Sequence, residues 1–233
     1  MSNHRVGRSP LGAAYRSRLG VLTRPGGVLI VGMGVGLQKI LHLFEANNIR
    51  YVFGHTESLY AENVQSLWEF NLILDAGSAE RAVDIISRID QAGWRGRFAI
   101  FGERFGGVWN TINSRINEHY GPVMGMTLVD TINSDEAPPD KFSPVEDMDI
   151  TKDVSGLYHD ATNFVEGGSV VAYSVDFPDP WIARNTVNGI DWILCADTNV
   201  GLQNFGDNEA PVEGSPNHQF FLNLAKIPVG KAE

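Results

Sequence analysis

The stretch FAIFGERFGGVW, residues 98–109, is an apolar run that stops on glycines and then passes into a helical pattern. Read outward from it, the same alternation recurs on the N-terminal side. GGVLIVGMG (26–34) is a continuous apolar run ending in glycines. A strand of that kind is buried on both faces, as in a parallel sheet covered by helices. LQKILHLFEANN (37–48) sets Leu37, Ile40, Leu41, Leu43 and Phe44 on one helical face and ends at Asn47-Asn48, a C-cap signal. RYVFGHT (50–56) reads as a strand, SLYAENVQSLWEF (58–70) as a helix and NLILDAG (71–77) as a third strand.

SAERAVDIISRIDQAG (78–93) has Ser78 as N-cap, Ala82, Ile85, Ile86 and Ile89 as its buried stripe and Gly93 as its stop. RFAIFG (97–102) is then the fourth strand, and GGVWNTINSRINEHYG (106–121) a fourth helix ending at Gly121. Four strand–helix alternations predict a doubly wound α/β sheet. Beyond them, 124–131 is strand-like, and 133–153, with seven acids against two lysines, reads as a surface loop. Residues 168–176 read as a strand, 176–189 as a turn-rich connection, 190–197 as an apolar strand and 216–227 as a final helix.

The chain has 233 residues and is 43% apolar, which suits one large domain over 26–233. Its single cysteine, Cys195, lies in the apolar run DWILCAD and reads as a small buried hydrophobe. No metal-ligand spacing and no cofactor are expected. The first residues lack the apolar run of a signal peptide, and no segment reaches the ~18 apolar residues of a membrane span, so cytoplasmic synthesis is expected.

Charge is uneven. Arg5, Arg8, Arg16, Arg18 and Arg24 all precede Glu45, the first acid. With those five set aside, the other 13 of the 18 basic residues face 28 acids, so the body carries about −15. Residues 1–25 therefore read either as a disordered basic tail or as an extended arm that orders against an acidic partner, nucleic acid or the acidic face of a neighbouring subunit. The field of the body disfavours nucleic acid except through the arm.

Several motifs bear on chemistry. GMGVG (32–36) departs from G-x-G-x-x-G, because its third required glycine is Leu37. Gly102-Glu103-Arg104-Phe105-Gly106 has the form of a nucleophile elbow, yet its apex is a guanidinium, which stays protonated and offers no lone pair. Glu103 and Arg104 then read as a surface or subunit-contact pair, with Arg104 as anion binder the alternative. His55, at a strand end, or His159, in a loop, could join Asp160, Asp176 or Asp197 in a metal or hydrolytic site, although no spacing demands it. Asp197 ends a strand before Thr198 and Asn199, where an acid caps a turn.

The order of these pieces resembles the class I glutamine amidotransferase-like superfamily. The likeness is to its non-amidotransferase branches: ThuA-like proteins and the auxiliary domains of some ABC transporters and of an intraflagellar-transport subunit. GGVLIVGMG, NLILDAG and FAIFGERFGGVW carry it, with DMDITKDVSGLYHDA (147–161) similar to the family's H-P-I-T-K-G-V segment. There Asp149 stands where that proline tends to be. IDWILCADTNVGLQN resembles the closing strand, and PNHQFFLNLAKI the last G-N-x-x-F-L-x-N helix. The resemblance covers about 26–227 and implies a three-layer α/β/α, flavodoxin-like, mostly parallel sheet, here preceded by the arm.

Amidotransferases carry cysteine at the elbow and a His-x-Glu pair near the last strand. Arg104 stands at the elbow here, and IDWILCADTN has no histidine. The resemblance with this departure implies no catalytic residue and a structural or interaction subunit of a larger assembly, a virion or particle component among the possibilities. The rival expectation is a ThuA-like enzyme or binder of a sugar-like molecule. Its site would lie at the strand ends around Gly34, His55, Gly77, Glu103, Arg104 and Asp197.

Overall fold

The computed structural model describes residues 27–32, 37–53, 64–76, 79–103, 110–130, 141–159, 163–173, 179–201 and 216–226. The apolar runs become the centre of the sheet. β1 (Gly27–Gly32) is buried at every position, as are β4 (Arg97–Phe101) and all but one residue of β3 (Phe70–Ala76). With β2 (Tyr51–Phe53), β9 (Ser169–Tyr173), β10 (Pro180–Val187) and β11 (Ile190–Cys195) they form one seven-stranded sheet in the order β2-β1-β3-β4-β11-β10-β9. The first five strands of that order pair in parallel, and β10 and β9 are added antiparallel. The fold is mixed α/β with a mostly parallel sheet.

α1 (Leu37–Ala46) ends where Asn48 takes a left-handed φ of 54°. α2 (Ala82–Ala92) buries Ala82, Ile85 and Ile89, and Gly93 closes it with a left-handed φ of 61°. Each buried isoleucine contributes about 2–3 kcal/mol through its apolar area. α3 begins as Asn110–Arg115, widens to a π turn over Ile116–Tyr120 and finishes as Gly121–Met124. α4 (Pro216–Ala225) packs on α1, and α2 packs on the π turn of α3. No described helix is long and apolar enough to cross a membrane.

Several expectations are corrected. The described part of 58–70 is a 3₁₀ helix, Val64–Glu69, followed directly by β3. The N-cap position of α2 is Arg81, which makes no side-chain cap bond; Ser78 lies outside the described residues. The fourth helix does not stop at Gly121 but runs to Gly125, whose φ is 67°. Pro122 explains the π turn, because it has no N–H for the usual bond and the Gly121 N–H reaches back to the Ile116 carbonyl instead.

The 133–153 segment is more than a surface loop. Its described part supplies β6 (Lys141–Ser143), paired with β7 (Leu157–His159), and a 3₁₀ turn at Asp149–Thr151. The strand-like 124–131 stretch becomes β5 (Thr127–Asp130), paired with β8 (Asn163–Glu166) in a separate two-stranded sheet. The turn-rich connection at 176–189 holds the eight-residue β10. Its hairpin to β11 turns on Asn188-Gly189, with φ of 53° and 75°, the positive pair that a type I′ turn requires.

A closed ring of charge locks the amino-terminal ends of β4 and β11. Arg97, 1% exposed, sits opposite Asp191 in the ladder and reaches its Oδ2 from Nε at 2.6 Å. Arg184 donates to the same carboxylate from Nε at 2.6 Å and from Nη2 at 3.0 Å. Asp149 closes the ring, accepting from Arg97 Nη2 at 2.7 Å and from Arg184 Nη1 at 2.5 Å. Burial acts to raise the Asp149 carboxyl, but the hydrogen bonds and charges of Arg97 and Arg184 outweigh it and hold the group below its ordinary value. A groove of about 370 Å³ opens beside the ring, lined by Met148, Asp149, Ser169, Arg184, Asn185 and Thr186.

Candidate functional site

In parallel α/β sheets ligands meet the carboxyl ends of the strands. Here those ends gather buried polar side chains. Asp75 is 1% exposed, Glu103 6%, Asp197 4% and Thr198 4%. Glu103 follows β4 by two residues and is tied down on every side. Its amide N–H donates to Asn113 Oδ1 at 2.9 Å, and its carbonyl accepts from the side-chain amides of Asn113 and Asn163. Its carboxylate Oε1 accepts the Thr198 hydroxyl at 2.5 Å. The Asn163 amide also reaches the Ala196 carbonyl at 3.3 Å, and the Gly102 N–H donates to the Cys195 carbonyl at 2.8 Å. A Cβ at Gly102 would press on a Leu128 methyl and crowd Asn113 Oδ1, so one of those side chains would have to shift.

Glu103 is therefore an interior residue, and the expected surface pair with Arg104 is corrected on its side. The physical reason is the two asparagines: α3 brings Asn113 and β8 brings Asn163 onto the backbone of Glu103. Neither was singled out from sequence. A buried asparagine inside the helical pattern NTINSR is the one available signal.

Asp75, one residue before the end of β3, accepts the Tyr120 hydroxyl at 2.7 Å and the Ala79 N–H at 3.4 Å. The π turn of α3 is thus bonded to the end of β3. Asp197 immediately precedes the 3₁₀ turn Thr198–Gly201, where a turn-capping acid was expected, and its carbonyl accepts the Cys195 thiol at 3.2 Å. Cys195, the last residue of β11, is wholly buried. Burial pushes its thiol well above the ordinary range, and the charge of Asp197 adds to the rise.

His159 was expected in a loop and stands instead at the end of β7, fully buried, with its ring stacked on Trp181 at 4.1 Å. Among the described residues no three His, Cys, Asp or Glu side chains gather as metal ligands do. His218 on α4 is also buried, which lowers its pKa. Gly34, His55, Gly77, Arg104, Asp160 and Asp176 lie outside the described residues, as do Arg5, Arg8, Arg16, Arg18 and Arg24.

Two stretches singled out for the family resemblance touch each other. Asn223 of α4 donates its amide to the carbonyls of Ile150 at 3.2 Å and Lys152 at 2.7 Å. Asn217 exchanges bonds with the Tyr158 backbone, both at 2.9 Å, and donates to the Val200 carbonyl at 2.8 Å. Thr151 Oγ1 accepts the Met148 N–H at 2.9 Å and donates to the Glu146 carbonyl. In these contacts the motif polar residues hold backbone.

No family model and no curated protein matches the sequence. Among solved structures the chain is similar to the exo-β-1,4-mannosidase Op5Man5 from Opitutaceae bacterium strain TAV5, with a TM-score of 0.53 at 12% identity. The match covers 94% of this chain and 38% of the mannosidase. At that identity the likeness is one of fold alone. The chain thus spans well under half the length of the structure it matches.

Proposed function

We propose that this chain is a non-catalytic module of the class I glutamine amidotransferase-like fold that serves as an interaction subunit in a larger assembly, with the basic arm 1–25 contacting a neighbouring subunit. Its parallel strands follow the order 2-1-3-4-5 when β11 is counted fifth, the order of flavodoxin-like sheets. The separate pairings of α1 with α4 and of α2 with α3 support a three-layer arrangement. The contact between the 147–161 stretch and the last helix supports the family reading as well.

The observation that carries the absence of amidotransferase chemistry is the place of Cys195. The nucleophile of such a reaction is a thiolate at a strand-to-helix turn. The one sulfhydryl of this chain is buried at the carboxyl end of β11, kept protonated by burial and donating to a backbone carbonyl. At the elbow itself the apex is Arg104. The polar groups around Glu103 bond one another, which favours a scaffold over the ThuA-like reading of a sugar pocket.

The test is glutamine hydrolysis by the purified full-length chain, followed as released ammonia. The expected rate is that of buffer. Turnover that Cys195→Ser or Arg104→Ala abolishes would overturn the proposal.

A further inference from the structure

The charge ring has hydrogen-bonding capacity that it does not use. Each Nη of a guanidinium carries a pair of N–H groups. Arg184 commits a single N–H of Nη1 to Asp149 and a single N–H of Nη2 to Asp191. Each oxygen of Asp149 accepts once in the ring, from Arg97 or from Arg184, and a carboxylate oxygen has a further lone pair. Asp149 and Arg184 are also the members that meet solvent, with side chains 55% and 27% exposed, and both line the groove of about 370 Å³.

The sheet adds hydroxyls to this pair. Ser169 stands opposite Arg184 in the β9–β10 ladder, and Thr186 follows Arg184 by two residues on β10. Opposed residues share a sheet face, and so do residues two apart, so all three side chains stand on the face where Asp149 meets Arg184. Ser169 and Thr186 are exposed and line the same groove.

Charge decides what fits there. Arg97 and Arg184 balance Asp149 and Asp191, so the ring is neutral. An anion approaching Arg184 meets Asp149 beside it, and a cation approaching Asp149 meets both guanidinium groups. A hydroxyl donates and accepts, so neighbouring hydroxyls can take an N–H from Arg184 and give a proton to Asp149. Met148 offers an apolar wall to C–H groups. Asp191 and Arg97 hold the pair in place before any ligand arrives, so little side-chain freedom is lost on binding. The groove volume is at the small end of ligand sites.

We propose that this groove binds a neutral polyhydroxylated ligand of monosaccharide size, with adjacent hydroxyls bridging the Arg184 guanidinium and the Asp149 carboxylate, and Ser169 and Thr186 completing the contacts. The site lies at the amino-terminal ends of β4 and β11, the opposite end of the sheet from Glu103 and Thr198. It stands whether or not the chain works in an assembly.

Amide NMR of the full-length chain, titrated with D-glucose, D-galactose, D-mannose and myo-inositol, tests it. At least one probe should saturate below about 50 mM, moving the amides of Ser169, Arg184 and Thr186 and leaving those of Glu103 and Thr198 in place. Thr186→Val and Ser169→Ala, at exposed positions where the fold tolerates change, should each weaken that probe about fivefold. Inorganic phosphate should leave the same amides unmoved. No probe bound at that concentration would overturn the site, as would shifts centred on Glu103 and Thr198. So would affinity unchanged in both variants, or phosphate held at the groove more tightly than any probe.

Discussion

Asn113 closes both backbone positions of Glu103, accepting its N–H and donating to its carbonyl in a buried site. Cutting it back to alanine leaves a buried donor unpaired and weakens a buried acceptor, so Asn113→Ala should cost about 3 kcal/mol in urea unfolding. Ser114→Ala, on an exposed neighbour, should cost almost nothing. At this scale the sequence was a partial guide. Cys195 as a buried small residue was legible, because the run around it leaves no polar face. The roles of Asn113 and Asn163 were not, because an amide that holds backbone leaves no spacing pattern. His159 was misplaced for a related reason: its neighbours His-Asp look polar, yet the ring is stacked on Trp181, 22 positions away in sequence.

Among the elements, the 3₁₀ turn at Asp149–Thr151 depends on the charge ring. The side chain of Asp149 is 55% exposed, while Arg97 beneath it is 1% exposed, so the turn covers a buried cation. Because the folded pKa of Asp149 lies below its unfolded value of about 4, its stabilisation is complete above that value and is lost as pH falls through the folded pKa. Asp149→Asn should therefore be less stable than the native chain at neutral pH, and the gap should narrow as the solution is taken below about pH 4. Urea unfolding at the two pH values checks it, and a gap that holds or widens in acid would rule out the ring as its source. Sequence inspection could not find this ring, since its members come from positions 97, 149, 184 and 191. The strands and helices around it were largely legible, because buried parallel strands are contiguous apolar runs. β10 was hidden by Pro178 and Asp179 before it and by Pro180 at its first position, although Asn188-Gly189 advertised the hairpin at its far end.

For the whole molecule, the mostly parallel α/β sheet follows from the four apolar runs and the helices between them. The proposed use of that sheet rests on two sequence features: five arginines within residues 1–25 ahead of a body of about −15, and an elbow motif whose apex cannot attack. On the proposed reading, the first would draw neighbouring copies or partners together through an attraction that weakens with salt. On the same reading, the second makes binding, not group transfer, the use of the fold. Size-exclusion chromatography with light scattering, on the full-length chain and on one lacking residues 1–25, tests this most directly. The account predicts an oligomer for the full-length chain and a folded monomer for the truncated one; an oligomer of the same size from both would contradict it.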